Sequence, residues 1–197
     1  MDTTVSERPA AILAAALECF AEQGFAATTV ELVRERSGAS IGSIYHHFGG
    51  KEGLAAELYV DGLRSYQEGL LGVLSSHPEA ESGVRALVHH HLDWVERNPQ
   101  LAQFLMNRRE TELVAATEAR VRDLNRAFLP RVAAWVKRQT DAGALRALPL
   151  ELWEPVLLGP SQELARLWLA GRLQIALADA ERLLAETTWN AVKGDQR

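Results

Sequence analysis

The sequence predicts an all-α protein: an N-terminal three-helix helix-turn-helix domain, residues 1–53, followed by a helical domain, residues 54–197. Three observations carry this. Alanine and leucine dominate, aromatic residues make up only 7% of the 197 residues, and no β-branched run of strand length occurs. Apolar residues recur at three- and four-residue spacing, the signature of helices with one buried face. Glycine, proline and small hydroxyl residues fall between these runs, where helix ends need them.

The first helix lies between Pro9 and Gly24, where Ile12, Leu13, Ala16, Leu17 and Phe20 share one face and Gly24 stands in the C-cap position. Thr28 and Thr29 then offer an N-cap hydroxyl to the short helix "VELVRERS", which Gly38 closes. Ser40 caps the next helix, Ile41 to about His47. Only "SGA" joins these two, the tight glycine-containing connection of a helix-turn-helix. A fourth helix opens at Gly50-Lys51-Glu52 and runs to Ser75 or Ser76, and "SSHPEAESG" is the first true loop. Further helices fit 82–97, 99–108, 110–141, 150–170 and 177–193, punctuated by Asn98-Pro99, Gly143, Pro149 and Gly171. Pro155 falls early in its helix and is tolerated there, whereas Pro160 falls mid-helix and should kink or break it.

Composition bounds the location and chemistry. The single cysteine, Cys19, cannot form an internal disulfide, and the N-terminus lacks the basic and apolar regions of a signal peptide. No stretch reaches the roughly 20 apolar residues that cross a bilayer, so the expectation is a cytoplasmic protein without a membrane partner. The net charge of −5 does not announce a nucleic-acid partner.

The third helix carries the chemistry. With about 100° per residue and Ile44 at the centre of one face, Phe48 lies close beside it. Gly42 and His46 then point the opposite way, flanked by Ser43 and Tyr45. No carboxylate or second histidine shares the face of His46, because His47 points about 100° away from it. Catalysis and metal binding therefore find no support, and no cofactor is expected. A hydroxyl, a phenol and an imidazole do suit phosphate oxygens, and Gly42 permits close backbone approach. Ser40 leaves free N–H groups at a helix start, and Lys51 could clamp a second phosphate. Ile41 stands at the rim, where an apolar side chain meets a thymine methyl.

The run "ILAAALECFAEQGFAATTVELVRERSGASIGSIYHHFGGKEGL" resembles the N-terminal domain of the TetR family of transcriptional regulators. The likeness rests on "F.E.GF", "TT", the "SGAS" turn, "G.IY.HF" and "KE.L", and covers about residues 10 to 55. It implies DNA contacts at Thr28, Thr29, Ser40, Ile41, Gly42, Ser43, Tyr45, His46 and Lys51, with Arg36 counted among them. Thr29, Tyr45 and Lys51 would anchor the backbone, and Ile41 and Ser43 would help to choose bases.

Three positions depart from the family pattern. Arg34 stands where a small residue is usual and must reach solvent or DNA. Ile41 stands where a basic residue is common. Gly50 replaces a common capping serine or asparagine, a loss of a few tenths of a kcal/mol if glycine is the cap. Through Gly53 four basic residues oppose seven acidic ones, a net −3. Few cations predict a shallow salt dependence, and protonation of His46 at mildly acidic pH would tighten binding.

The resemblance further implies a homodimer on palindromic operator DNA, acting as a ligand-responsive repressor through a small-molecule effector that is largely apolar. His91, Trp94, Phe104, Met106, Trp135 and Trp153 are the pocket candidates, with core packing as the competing reading of each. Within "HHH" only His91 falls in the apolar stripe of Val84, Val88, Leu92 and Val95; His89 and His90 are expected to point outward. Cys19, beside Glu18 and Glu22, reads as an inert thiol. Leu164, Trp168, Leu184 and Thr188 are the expected dimer interface, or core in a monomer. The alternative to a DNA reader is a helix-turn-helix adapter that binds protein. An enzyme finds no paired carboxylates, activated nucleophile or phosphate loop.

Overall fold

The computed structural model describes residues 4–106 and 111–194. Ten α-helices follow one another among them: α1 Thr4–Ala27, α2 Val30–Ser37, α3 Ile41–Phe48, α4 Lys51–Ser76, α5 Ala80–Arg97, α6 Pro99–Met106, α7 Thr111–Asp141, α8 Leu150–Leu157, α9 Gly159–Leu169 and α10 Leu177–Val192. The described residues form no strand, only an isolated bridge between Leu145 and Lys193. The fold class is therefore the expected one. The boundaries expected at 108 and 110 lie outside the described residues.

Local signals set the ends of α2 and α3. Thr29 accepts a hydrogen bond from the Leu32 N–H through its Oγ1 (3.3 Å), and Ser40 accepts from the Ser43 N–H (3.1 Å). Gly38 and Gly49 end α2 and α3 in the left-handed region, at φ 69° and 73°. Gly24 interrupts α1 at φ 80°, ψ 162°, where a cap was expected, but helix resumes as far as Ala27. The expected break near Pro160 falls at Leu158, which separates α8 from α9 and leaves Pro160 in the first turn of α9, where its missing N–H costs nothing.

The chain packs as two compact units, one running to Arg64 with Gln100–Arg122, the other Ser65–Pro99 with Asp123 onward. The core of the first unit joins Ile12, Ala16, Cys19 and Phe20 of α1 to Val33, Ile44, Leu54 and Tyr59. Phe104 of α6 stacks on Phe20, ring centroids 5.6 Å apart and nearly parallel. Arg120 of α7 closes this unit with a two-pronged ion pair to Glu57 (2.7 and 3.0 Å), which lowers the Glu57 pKa chiefly by hydrogen bonding.

One expectation needs correction here. Pro9–Ala27 is 19 residues long with mean hydropathy 1.3, enough by length and composition to cross a membrane. Its apolar side is core: Ile12, Ala15, Ala16, Cys19 and Phe20 are buried in the first unit, while Glu18 and Glu22 are exposed.

The core of the second unit gathers Leu70 and Leu74 of α4, Val84 and Leu87 of α5, Trp135 and Val136 of α7, Trp153 and Leu157 of α8, and Val192 of α10. Trp135 donates through Nε1 to the His77 carbonyl (3.2 Å), and Gln139 donates to that of Pro78 (2.7 Å). The chain end is fastened as a clasp: the Arg146 N–H donates to Val192 O and the Gly194 N–H to Ala144 O, both 2.9 Å.

Candidate nucleic-acid interface

The α3 helix sits as its pattern requires. Ile44 is fully buried and Phe48 half-buried, so the opposite face looks outward. Tyr45 is 53% exposed and Ile41 39%, with Gly42 and His46 also exposed and Ser43 half-buried. The His46 and His47 rings meet edge to face at 5.1 Å. Ser40 caps the start of this face and Thr29 that of α2; both are exposed.

Three of the expected contact residues have partners within the chain. Thr28 is 1% exposed, and its hydroxyl donates to Cys19 O (3.1 Å) and Gly24 O (2.8 Å). It ties the end of α1 to the start of α2 and presents no surface to a ligand. Arg36 is ion-paired with Glu22 (2.7 Å) and Glu18 (3.6 Å) of α1, an attachment that also holds the Glu22 carboxyl below its usual range. Lys51 donates through Nζ to the carbonyls of Phe25 (3.0 Å) and Ala26 (3.4 Å) and lies over the Phe25 ring at 4.5 Å. A cation at the carbonyl end of α1 satisfies groups the helix leaves open, so Lys51 holds the corner from which α3 projects.

The departures from the family pattern also acquire reasons. Arg34 reaches solvent, pairing with Glu35 at 3.2 Å. Gly50 takes φ 130°, where a serine would be strained, and its carbonyl still accepts the Leu54 N–H (3.0 Å). Cys19 is buried and its pKa is raised, chiefly by burial, which is the inert thiol expected.

Residues 12–58 match the family described as "Bacterial regulatory proteins, tetR family". Over this segment, about a quarter of its length, the chain is similar to the TetR family. Among similar proteins, the HTH-type transcriptional repressor AcnR of Corynebacterium jeikeium is 37% identical over 78 residues, 37% of this chain and 41% of AcnR. The HTH-type transcriptional repressor KstR2 of Mycobacterium tuberculosis is 33% identical over 95 residues, 44% of this chain and 48% of KstR2. The aligned stretches thus span less than half the length of these two relatives. Over nearly the whole chain the fold resembles that of the regulator FadR of Bacillus subtilis, solved in complex with stearoyl-CoA: TM-score 0.77, 18% identity, 91% of this chain and 96% of FadR.

The six pocket candidates do not come together. Phe104 packs in the core of the first unit, and Met106 ends α6 half-buried. Trp135 and Trp153 are core residues of the second unit. His91 and Trp94 do meet, around a residue sequence reading missed: Tyr66. Its hydroxyl lies 2.8 Å from His91 Nδ1, and its ring packs edge-on to Trp94 at 5.1 Å. His90, expected outward, is half-buried; it stacks on Tyr66 at 6.0 Å, and its ring lies so close to Gly69 that a Cβ there would collide with it. Glycine at 69 was the only sequence signal for this inward turn. His89 does point outward and pairs with Glu181 at 2.9 Å. Among the described residues no three His, Cys, Asp or Glu side chains gather as a metal site.

On the expected dimer surface, Leu164, Trp168 and Leu184 are half-buried. Thr188 is buried within the second unit and cannot lie on a surface. Leu183, not among the expected residues, is 67% exposed beside Leu184 on α10.

Proposed function

We propose that this chain is a ligand-responsive transcriptional repressor that binds a palindromic operator as a homodimer in the cytoplasm. The observation that carries the reading is the outward face of α3, with Ile41, Gly42, Tyr45 and His46 exposed on a doubly capped helix inside the segment that matches the family. Residues 1–53 would read DNA and residues 54–197 would bind the effector and pair the protomers. The two recognition helices of a dimer would enter successive major grooves about 34–36 Å apart. An effector would act through its differential affinity for the DNA-binding and the free conformations. That AcnR and KstR2 are repressors, and that FadR was solved with stearoyl-CoA, supports repression and a small-molecule effector.

A second reading has its own observation. Arg34, Arg36 and Lys51, three of the four cations of the first 53 residues, have partners within the chain. An adapter that turns α3 toward protein would need no free cations. Selection of a random duplex DNA library by the purified protein at low salt separates the two. A repressor enriches a palindrome, and Tyr45→Ala with His46→Ala loses it without loss of helix content; Lys51 stays untouched because it holds the end of α1. No enriched motif would reject the operator reading and favour the adapter.

A further inference from the structure

The corner between α3 and α4 brings two stretches of backbone into contact. Gly49 and Gly50 turn the chain at positive φ, 73° and 130°. Three residues beyond Gly50, a Cβ built on Gly53 would overlap the Phe48 carbonyl oxygen, a collision with main chain that no side-chain rotation relieves. Glycine at 53 therefore lets the last carbonyl of α3 rest on the first turn of α4. Gly50 extends the contact to the reading face: a Cβ there would stand 3.4 Å from the Tyr45 ring. Tyr45, exposed on that face, thus leans on the residues that make the turn.

The same corner is anchored to α1. A helix end leaves carbonyls open, and here three in succession are closed from outside the helix. Gly24 O accepts from the Thr28 N–H (3.2 Å) and from the Thr28 hydroxyl (2.8 Å). Phe25 O and Ala26 O accept from Lys51 Nζ (3.0 and 3.4 Å). The Phe25 ring lies under the ammonium at 4.5 Å and packs on Phe20, centroids 5.4 Å apart. Phe20 belongs to the core of the first unit. Lys51 is half-buried and directs its charge back at the chain. Removing the ammonium would reopen two carbonyls and free the corner from α1.

We infer that Lys51 and Gly53 set the direction of α3 and act on operator binding as positioning residues, neither of them by touching DNA. The phosphate clamp implied for Lys51 by its family position gives way to a clamp on α1. The effect on DNA rests on the operator reading above, whereas the corner is a property of the free chain. The two roles fail differently. A lost phosphate contact weakens all duplexes alike and lowers the salt slope by about 0.9 per protomer. A misdirected recognition helix loses its base-edge contacts, so cognate binding falls while non-specific binding stays.

Fluorescence-anisotropy titrations of the full chain test this, with the selected palindrome and a scrambled duplex at several salt concentrations. Wild type is compared with Lys51→Met, Gly53→Ala and the double variant, each well below its melting temperature. Lys51→Met should weaken palindrome binding at least tenfold and scrambled-duplex binding less than twofold, with the salt slope on the scrambled duplex unchanged. The double variant should bind no worse than the weaker single one, because both changes release one corner. Amide exchange without DNA reads the corner directly: Lys51→Met should speed exchange at residues 44–48 at least fivefold and leave α10 unchanged. These Lys51→Met readouts decide the matter even if Gly53→Ala does not fold. Equal losses on both duplexes with a slope lower by about 0.9 per protomer would make Lys51 a phosphate contact and overturn the inference. Unaltered exchange at residues 44–48 overturns it as well. Failure of wild type to enrich any palindrome sinks the operator reading instead, and amide exchange then decides the corner alone.

Discussion

Two pairs of adjacent histidines stand on helices of this protein and have opposite fates. His46 and His47 end α3 in the first unit, both exposed. His90 and His91 lie mid-way along α5 in the second, one half-buried against Tyr66, the other buried and held neutral. Adjacent helical residues diverge by about 100°, so an amphipathic helix normally shields at most one of them. The short α3 packs through Ile44 and Phe48 alone and leaves both rings outside. By contrast, α5 is covered on a wider arc: α10 packs along it, and α4 approaches closely enough at Gly69 to take the His90 ring. What covers a helix, not what is written on it, decides whether an imidazole becomes surface or interior. The first unit puts its polar chemistry outside an apolar core; the second puts some of it within.

That contrast can be broken by substitution. The largest effect belongs to the interior of the first unit. Ile44→Ala should cost about 3–4 kcal/mol, read as a lowered melting temperature, while Tyr45→Ala on the exposed face should change stability by less than about 0.5 kcal/mol. Equal losses would show that α3 does not separate packing from surface.

In the second unit the histidine itself should make stability depend on pH. Its folded pKa, about 4, lies below the unfolded value of roughly 6.5. The unfolded chain therefore binds the proton first, and the stabilisation from this site is complete above pH 6.5 and lost as pH falls toward 4. On linkage grounds the loss is on the order of 3 kcal/mol. Urea titrations of wild type and His91→Phe at pH 7.5 and 4.5 read it as a difference, which cancels the carboxylates common to both. Identical pH slopes would mean that His91 charges without cost and is not interior.

Smaller effects refine the picture. Gly83 is buried against Trp135, where an added Cβ would collide with the indole. Gly83→Ala should cost about 2 kcal/mol by overpacking, seen in the thermal melt of the full chain. Ser40→Ala removes the side-chain acceptor of the Ser43 N–H and should cost about 1 kcal/mol; Ser40→Gly should recover most of it. A serine cap that proves neutral would make the α3 start dependent on packing alone.

Helix positions, the Gly38, Ser40 and Thr29 caps, the break before Pro160 and the buried place of Ile44 were all legible in the sequence, because each depends on residues within about one turn of one another. The outward face of α3 followed from the same arithmetic. The hydroxyl of Thr28, the partners of Arg36 and Lys51, the split of the pocket candidates between two cores and the burial of Thr188 were not. Arg36 meets Glu22 across 14 positions, Lys51 meets Phe25 across 26, and Tyr66 meets His91 across 25. The sequence by itself determined an all-helical chain with an N-terminal helix-turn-helix, since periodicity and capping are local and additive. Only the tertiary structure decided which cations are spent on internal carbonyls and carboxylates and which imidazole is kept neutral, because charge pairing and desolvation depend on what lies beside a group in space.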